Sequence, residues 1–173
     1  MTDMQFRSAT PADAAEIAEF MTRNFLAAYG HCSSVENVQQ AVQDYYGVDA
    51  QRADLANANI INCLCIIDNK ITGLAQVKPP KPQGDQHKFE LSRFYVDSPY
   101  HGKGIASVLM KETLEQLKLK SARSLWLSVW QESQQAIRFY LKQGFLITGD
   151  TIFMVGNDPM KDWLMTKNLQ EAF

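Results

Sequence analysis

The sequence predicts an α/β (α+β) fold: one domain built on a central mixed sheet of six to seven strands, with helices between them. Three observations carry this. The chain has 173 residues, 46% of them apolar, which is one domain's length with enough apolar surface for a core. A hairpin pattern occupies its middle. The run from Phe89 to Val129 reads strand, glycine loop, helix, strand, so its two strands should lie parallel in one sheet.

Taken in order, Met4 to Ser8 is a short strand. Thr10-Pro11-Ala12-Asp13 then opens a helix with an N-cap threonine, a proline at the first position and an acid in the first turn. Ala14, Ile17, Ala18, Met21 and Phe25 recur at helical spacing, so this helix buries one face as far as about Phe25. Ser34 caps a second helix, Val35 to about Tyr46, with the stripe Val38, Ala41, Val42, Tyr45; a short third helix covers Asp49 to Ala56. Tyr29, His31, Tyr45 and Tyr46 are either core aromatics or the lining of a substrate pocket.

Ile60 to Ile67, the turn Asp68-Asn69-Lys70 and Ile71 to Val77 form the hairpin, with Gly73 marking a bulge or a close approach. The proline-rich stretch from Lys78 to Asp85 is an exposed loop. Phe89 to Val96 is the next strand, stopped by Asp97-Ser98-Pro99, and a helix runs from Gly104 to about Lys118. Leu125 to Trp130 is almost continuously apolar, as expected of a strand covered on both faces. Ser133 opens a helix that Gly144 ends. Phe145 to Thr148, Thr151 to Val155 and Trp163 to Lys167 supply the last strands, split by Gly149-Asp150 and by Gly156-Asn157-Asp158-Pro159.

A net charge of -2 argues against a nucleic-acid partner and toward a small molecule or a protein. No charged-then-apolar leader and no membrane-length apolar run is seen, so a cytoplasmic protein is expected. Cys32, Cys63 and Cys65 read as reduced core thiols, without a metal.

Chemistry concentrates where Gly102, Gly104 and Ala106 leave backbone bare at a helix start. Unpaired N–H groups, the helix dipole and Lys103 suit a phosphate or pyrophosphate there. The spacing is not that of a Walker A loop, because no glycine stands five residues before Gly102. A dinucleotide fingerprint would need glycine at Ser107 and an acid at the end of the next strand, which instead runs into Trp130-Gln131. A kinase or a reductase is disfavoured accordingly.

What remains resembles the GNAT acetyltransferases. His101-Gly102-Lys103-Gly104-Ile105-Ala106 is similar to their acetyl-CoA pyrophosphate loop, Arg/Gln-x-x-Gly-x-Gly/Ala, with histidine at the first position. Ala136-Ile137-Arg138-Phe139-Tyr140-Leu141-Lys142-Gln143-Gly144-Phe145 resembles their A-x-x-F/L-Y-x-x-x-G-F signature, with Ser133 where the family often has asparagine. The Leu125–Trp130 strand, Gly149, Phe153 and Asp162 with Met165-Thr166-Lys167 resemble the PaiA-like spermidine/spermine branch.

The resemblance implies a GNAT fold across the chain: a twisted, mostly antiparallel sheet with helices on both faces and a central parallel pair that splays beyond Phe94 and Leu127. It implies acetyl-CoA as cosubstrate and direct transfer to an amine in a ternary complex. The cofactor would meet Phe94, Tyr95 and Val96 through backbone groups, His101, Gly102, Lys103, Gly104, Ile105, Ala106 and Ser107 through the loop, and Ser133 and Tyr140 from the following helix. Tyr140 would protonate the departing thiolate and Glu90 would be the base; the plainer alternatives are a cleft-wall tyrosine and a solvated strand-end carboxylate. No metal is implied. The acceptor would be a small primary amine, polyamines first. On the residues alone, Glu36, Asp44 and Asp49 are either acids gathered near the cleft mouth or ordinary solvated helix faces. A peptide N-terminus, an amino acid, a non-catalytic acetyl-CoA sensor and a homodimer stay open.

Overall fold

The computed structural model describes residues 4–170. The elements are β1 (Met4–Ser8), α1 (Ala14–Tyr29), α2 (Val35–Tyr46), α3 (Val48–Ala56), β2 (Ile61–Ile67), β3 (Lys70–Lys78), β4 (Lys88–Val96), α4 (Ile105–Lys118), β5 (Ser124–Trp130), α5 (Gln134–Lys142), β6 (Leu146–Val155) and β7 (Asp158–Asn168). The strands form one sheet in the order β1-β2-β3-β4-β5-β7-β6. Every pairing is antiparallel except β4 with β5, the pair flanking the α4 crossover. No helix among the described residues is long and apolar enough to cross a membrane.

Local chemistry explains most boundaries. Asp68 and Asn69 both take positive φ, 50° and 60°, as a two-residue hairpin turn with the twist of its strands requires. A Cβ on Gly73 would lie 3.0 Å from the Cys65 Cβ and 3.3 Å from Leu109, so the glycine admits α4 against the hairpin. Before α1, Pro11–Asp13 form a 3₁₀ turn, and Asp13 accepts from the Thr10 N–H at 2.7 Å and its hydroxyl at 3.0 Å.

Two cores sandwich the sheet. Leu109, Met110 and Leu117 of α4, with Ile137 and Tyr140 of α5, cover a face carrying Cys63, Cys65, Val77, Leu91, Leu125 and Leu127. Ile17, Phe20, Met21 and Phe25 of α1, with Val38 and Ala41 of α2, cover the other face at Leu64, Ile71 and Leu74.

Three expectations are corrected. Gly149-Asp150 does not split a strand: β6 runs unbroken along the eleven residues of β7 and absorbs an extra residue between Ile147 and Gly149. β5 is not sealed on both faces. Leu125, Leu127 and Val129 are buried, but Trp126 and Trp130 are half-buried and Ser128 is exposed, because α1 and α2 leave part of that face open. The parallel pair also opens earlier than beyond Phe94. It is joined only at Lys88–Ser124, Phe89–Leu125 and Glu90–Trp126, while β4 follows β3 to Val96 and β5 follows β7 to Trp130. A bulge accounts for this: Gln76 faces Arg93 and Val77 faces Leu91, leaving Ser92 extra, and a bulged strand bends and twists away from its neighbour.

Candidate active site

The diverging strands leave a cleft of about 940 Å³. Its walls are β4 from Leu91 to Val96, the glycine loop and the start of α4, the end of β5, and the first turns of α5, with Tyr29 of α1 at the far side. The Ser92 bulge also sorts side chains. Leu91 and Phe94 point to the α4–α5 core, whereas Arg93 and Tyr95 point to the α1–α2 side. Past Glu90 the edge of β4 that faces β5 has no strand partner, so its backbone groups border the cleft.

The glycine loop presents open backbone donors. Gly102 and Gly104 take φ of 74° and 79°, values that favour glycine, and a Cβ on either would meet nothing within 4 Å. Among the described residues the N–H groups of 102–106 have no acceptor; the next two, on Ser107 and Val108, turn back to the Gly104 carbonyl. Five donors at the start of a fourteen-residue helix fit a pyrophosphate. Gln143, the C-cap of α5, donates to the Ser107 hydroxyl at 3.3 Å, tying the two helices beside the loop.

Most of the expected cofactor residues meet here. Phe94, Tyr95, Val96, His101, Gly102, Gly104, Ile105, Ala106, Ser107, Ser133 and Tyr140 all border the cleft. Lys103 does not; its ammonium lies over the Tyr100 ring, 5.2 Å from the centroid. His101 is committed elsewhere: its Nε2 lies 2.6 Å from the Val96 carbonyl, and because a carbonyl only accepts, that nitrogen carries the proton. The histidine therefore pins the loop to the end of β4 and occupies the Val96 oxygen. Ser133 stands at the N-cap of α5 but its side chain makes no capping bond, which leaves the hydroxyl at the cleft.

Tyr140 is 8% exposed, packed edge-on against Phe94, Phe139 and Phe145. Burial, and then the neighbouring Tyr95, push its phenol above the ordinary value, so it keeps its proton throughout the neutral range. Glu90 is not brought to the cleft. It pairs with Trp126 at the closed end, opposite Lys78 of β3, and lies outside the lining.

The acetyltransferase (GNAT) family profile matches residues 17–145. An uncharacterized N-acetyltransferase of Mycobacterium tuberculosis is 33% identical over 165 residues, 91% of this chain and 98% of the relative. The chain belongs to the GNAT family. This GNAT protein is accordingly an acetyl-CoA-dependent N-acetyltransferase, and acetyl-CoA is its cosubstrate. Its fold is that of the PaiA N-acetyltransferase from Thermoplasma acidophilum, solved in complex with coenzyme A: the TM-score is 0.81 at 21% identity, covering 96% of this chain and 99% of the other. The spermine/spermidine N(1)-acetyltransferase of Bacillus subtilis is 33% identical over 64 residues, 36% of this chain and 42% of that one.

The remaining walls of this GNAT cleft come from the α1–α2 side of the sheet. Tyr29 borders the cleft and packs on Trp130 at 5.7 Å, while Tyr46 is buried and shares a hydrogen bond with Tyr95 at 3.2 Å. His31 is exposed beyond α1. The acids expected at the mouth are elsewhere. Asp49 is fully exposed and paired with Arg52, Glu36 is exposed, and Asp44 lines a separate cavity of about 160 Å³ beside Lys78 and Arg93. Sequence reasoning missed two features of this side. Arg93 lies over the Tyr45 and Tyr46 rings and lines both cavities. Asp162 is buried on β7; its place in the branch-like motif was the available signal.

Proposed function

We propose that this enzyme acetylates the primary amine of a small molecule by direct attack on the thioester within a ternary complex, with a polyamine as the first-ranked acceptor. The observation that supports it most is the convergence in one cleft of an open β4 edge, an anion-binding glycine loop and a buried, protonated tyrosine. The loop N–H groups would hold the pyrophosphate, and the free backbone of Phe94 would align a pantetheine amide, whereas the Tyr95 backbone is turned to Leu74 of β3. When the C–S bond breaks, the Tyr140 hydroxyl would give its proton to the thiolate.

The partial similarity to the spermine/spermidine enzyme supports the polyamine ranking. A second reading has its own observation: Arg93 on the acceptor side offers a guanidinium to a carboxylate, which favours an amino acid or a peptide N-terminus. Thiol release measured over spermidine, spermine, free amino acids and short peptides separates them. Turnover of spermidine above the others is expected; turnover confined to carboxylate-bearing acceptors would replace the first reading by the second.

A further inference from the structure

Asp162 lies in the middle of a cross-strand row, between Trp130 of β5 and Thr151 of β6. Alternation along β7 puts it with Met160 on the α1–α2 side of the sheet, the side on which Tyr29 borders the cleft. It is 3% exposed, and its Oδ1 has no hydrogen-bond partner among the described residues. A buried carboxylate held for the fold is normally satisfied, because an unpaired one lowers stability. This one is satisfied at one oxygen at most. The Ser128 hydroxyl beside it favours its charged form, and Ser128 itself is exposed in the cleft wall.

We infer that Asp162 is the proton acceptor for the incoming amine, acting through Ser128 as a positioning residue behind the cleft wall; this rests on the amine-acetylating reading above. The ammonium passes one proton to the Ser128 oxygen as the Ser128 hydroxyl proton moves to the Asp162 carboxylate. The neutral amine then attacks the thioester carbon, the C–S bond breaks, and the thiolate takes the Tyr140 proton. The nitrogen's surplus proton restores Tyr140, and Asp162 returns its own to solvent by the same route, so one proton is released per turnover.

The other acids fit this task less well. Glu90 lies outside the lining, and Glu132, the acid that does border the cleft, is exposed on its rim. The groups facing Asp162 are Ser128 from β5, Thr151 from β6 and Tyr29 from α1, whose own surroundings include Tyr95 of β4 and Tyr140 of α5. The nearest charged residues on these two strands, Lys161 beside it on β7 and Asp150 opposite Trp163 on β6, alternate to the opposite face. Burial pushes Asp162 up to about 6, where it still ionises at neutral pH yet accepts a proton more readily than an ordinary carboxylate.

The test is the pH profile of kcat at saturating acetyl-CoA and spermidine, with ethanolamine as a second probe, for wild type, Asp162→Asn and Ser128→Ala. Acetyl-CoA thermal shift, run in parallel, reports folding and cofactor binding. The wild type should show an ascending limb centred near pH 6. Asp162→Asn should lose that limb and about 10- to 1,000-fold in kcat at pH 7.5, while keeping its acetyl-CoA shift. Ser128→Ala, a surface change that leaves the carboxylate buried, should lose kcat similarly. A limb retained in both variants with kcat unchanged would overturn this inference alone. A wild type that binds acetyl-CoA but acetylates neither amine would overturn the amine reading and this inference with it.

Discussion

At the scale of single residues, Asp162 makes a prediction about stability that separates a working group from a structural one. Its native pKa lies above the unfolded value, so the folded state binds more protons in that window. Its contribution is greatest below about pH 4 and is lost as pH rises through about 6. At pH 8 the buried charge therefore costs stability, and Asp162→Asn should raise Tm by a few degrees, a gain that shrinks toward pH 4. A large loss of Tm at every pH would instead mark Asp162 as a structural partner. Asp13 behaves oppositely. The Arg7 guanidinium, 2.8 Å away, holds it down at about 2, so its contribution is present above about pH 4 and is lost as pH falls through 2. His101 makes a third residue-scale prediction. Because it bonds Val96 rather than reaching into the loop, His101→Ala should weaken acetyl-CoA binding by less than about 3 kcal/mol in calorimetry. A larger loss would give the ring a direct contact with the pyrophosphate. The histidine was visible in the sequence as a departure from the family pattern. Its partner was not, since the bond depends on how the turn Asp97–Tyr100 folds the loop back on β4.

At the scale of elements, the glycine loop and the strand before it work as one device. Asp97 closes β4 and accepts from Arg23 at 3.1 and 2.8 Å and from Asn24 at 2.8 Å, so α1 is clamped to the strand end that carries the loop. Asp97→Ala would leave the buried Asn24 amide short of an acceptor; it should lower stability by about 1 to 3 kcal/mol in urea unfolding and loosen acetyl-CoA binding as well. Gly104→Asp should abolish the acetyl-CoA thermal shift, since the φ of 79° disfavours any side chain and the carboxylate would stand against the pyrophosphate. An undiminished shift would sink the loop assignment. The loop and the α5 signature were legible because each is a contiguous run whose glycines serve local backbone needs. The Ser92 bulge was not, because it exists only in the register between β3 and β4. Gly149-Asp150 misled for a related reason: locally they are turn residues, and only the long partner β7 holds them in a strand.

At the scale of the molecule, the parallel pair and the β2–β3 hairpin followed from a βαβ run and a tight turn, both short in sequence, whereas the insertion of β7 between β5 and β6 did not. The α1–α2 wall of the cleft did not, because Tyr29, Tyr95, Ser128 and Asp162 come from α1, β4, β5 and β7 and meet only after the sheet has formed. The acids Glu36, Asp44 and Asp49 look close along the chain yet are turned away from the cleft, which is why charge along the sequence did not locate the acceptor. The sheet opens between β4 and β5 where the glycine loop, the free strand edge and α5 face one another, and the proposed transfer requires Tyr140 to act there as the acid. The most direct measurement is the turnover number of Tyr140→Phe at saturating acetyl-CoA and amine, under conditions where chemistry limits the rate. The ring and its packing on Phe94, Phe139 and Phe145 are kept, so acetyl-CoA affinity should hold while kcat falls by about 10- to 1,000-fold. An unchanged kcat would contradict proton donation by Tyr140 and return it to the cleft wall.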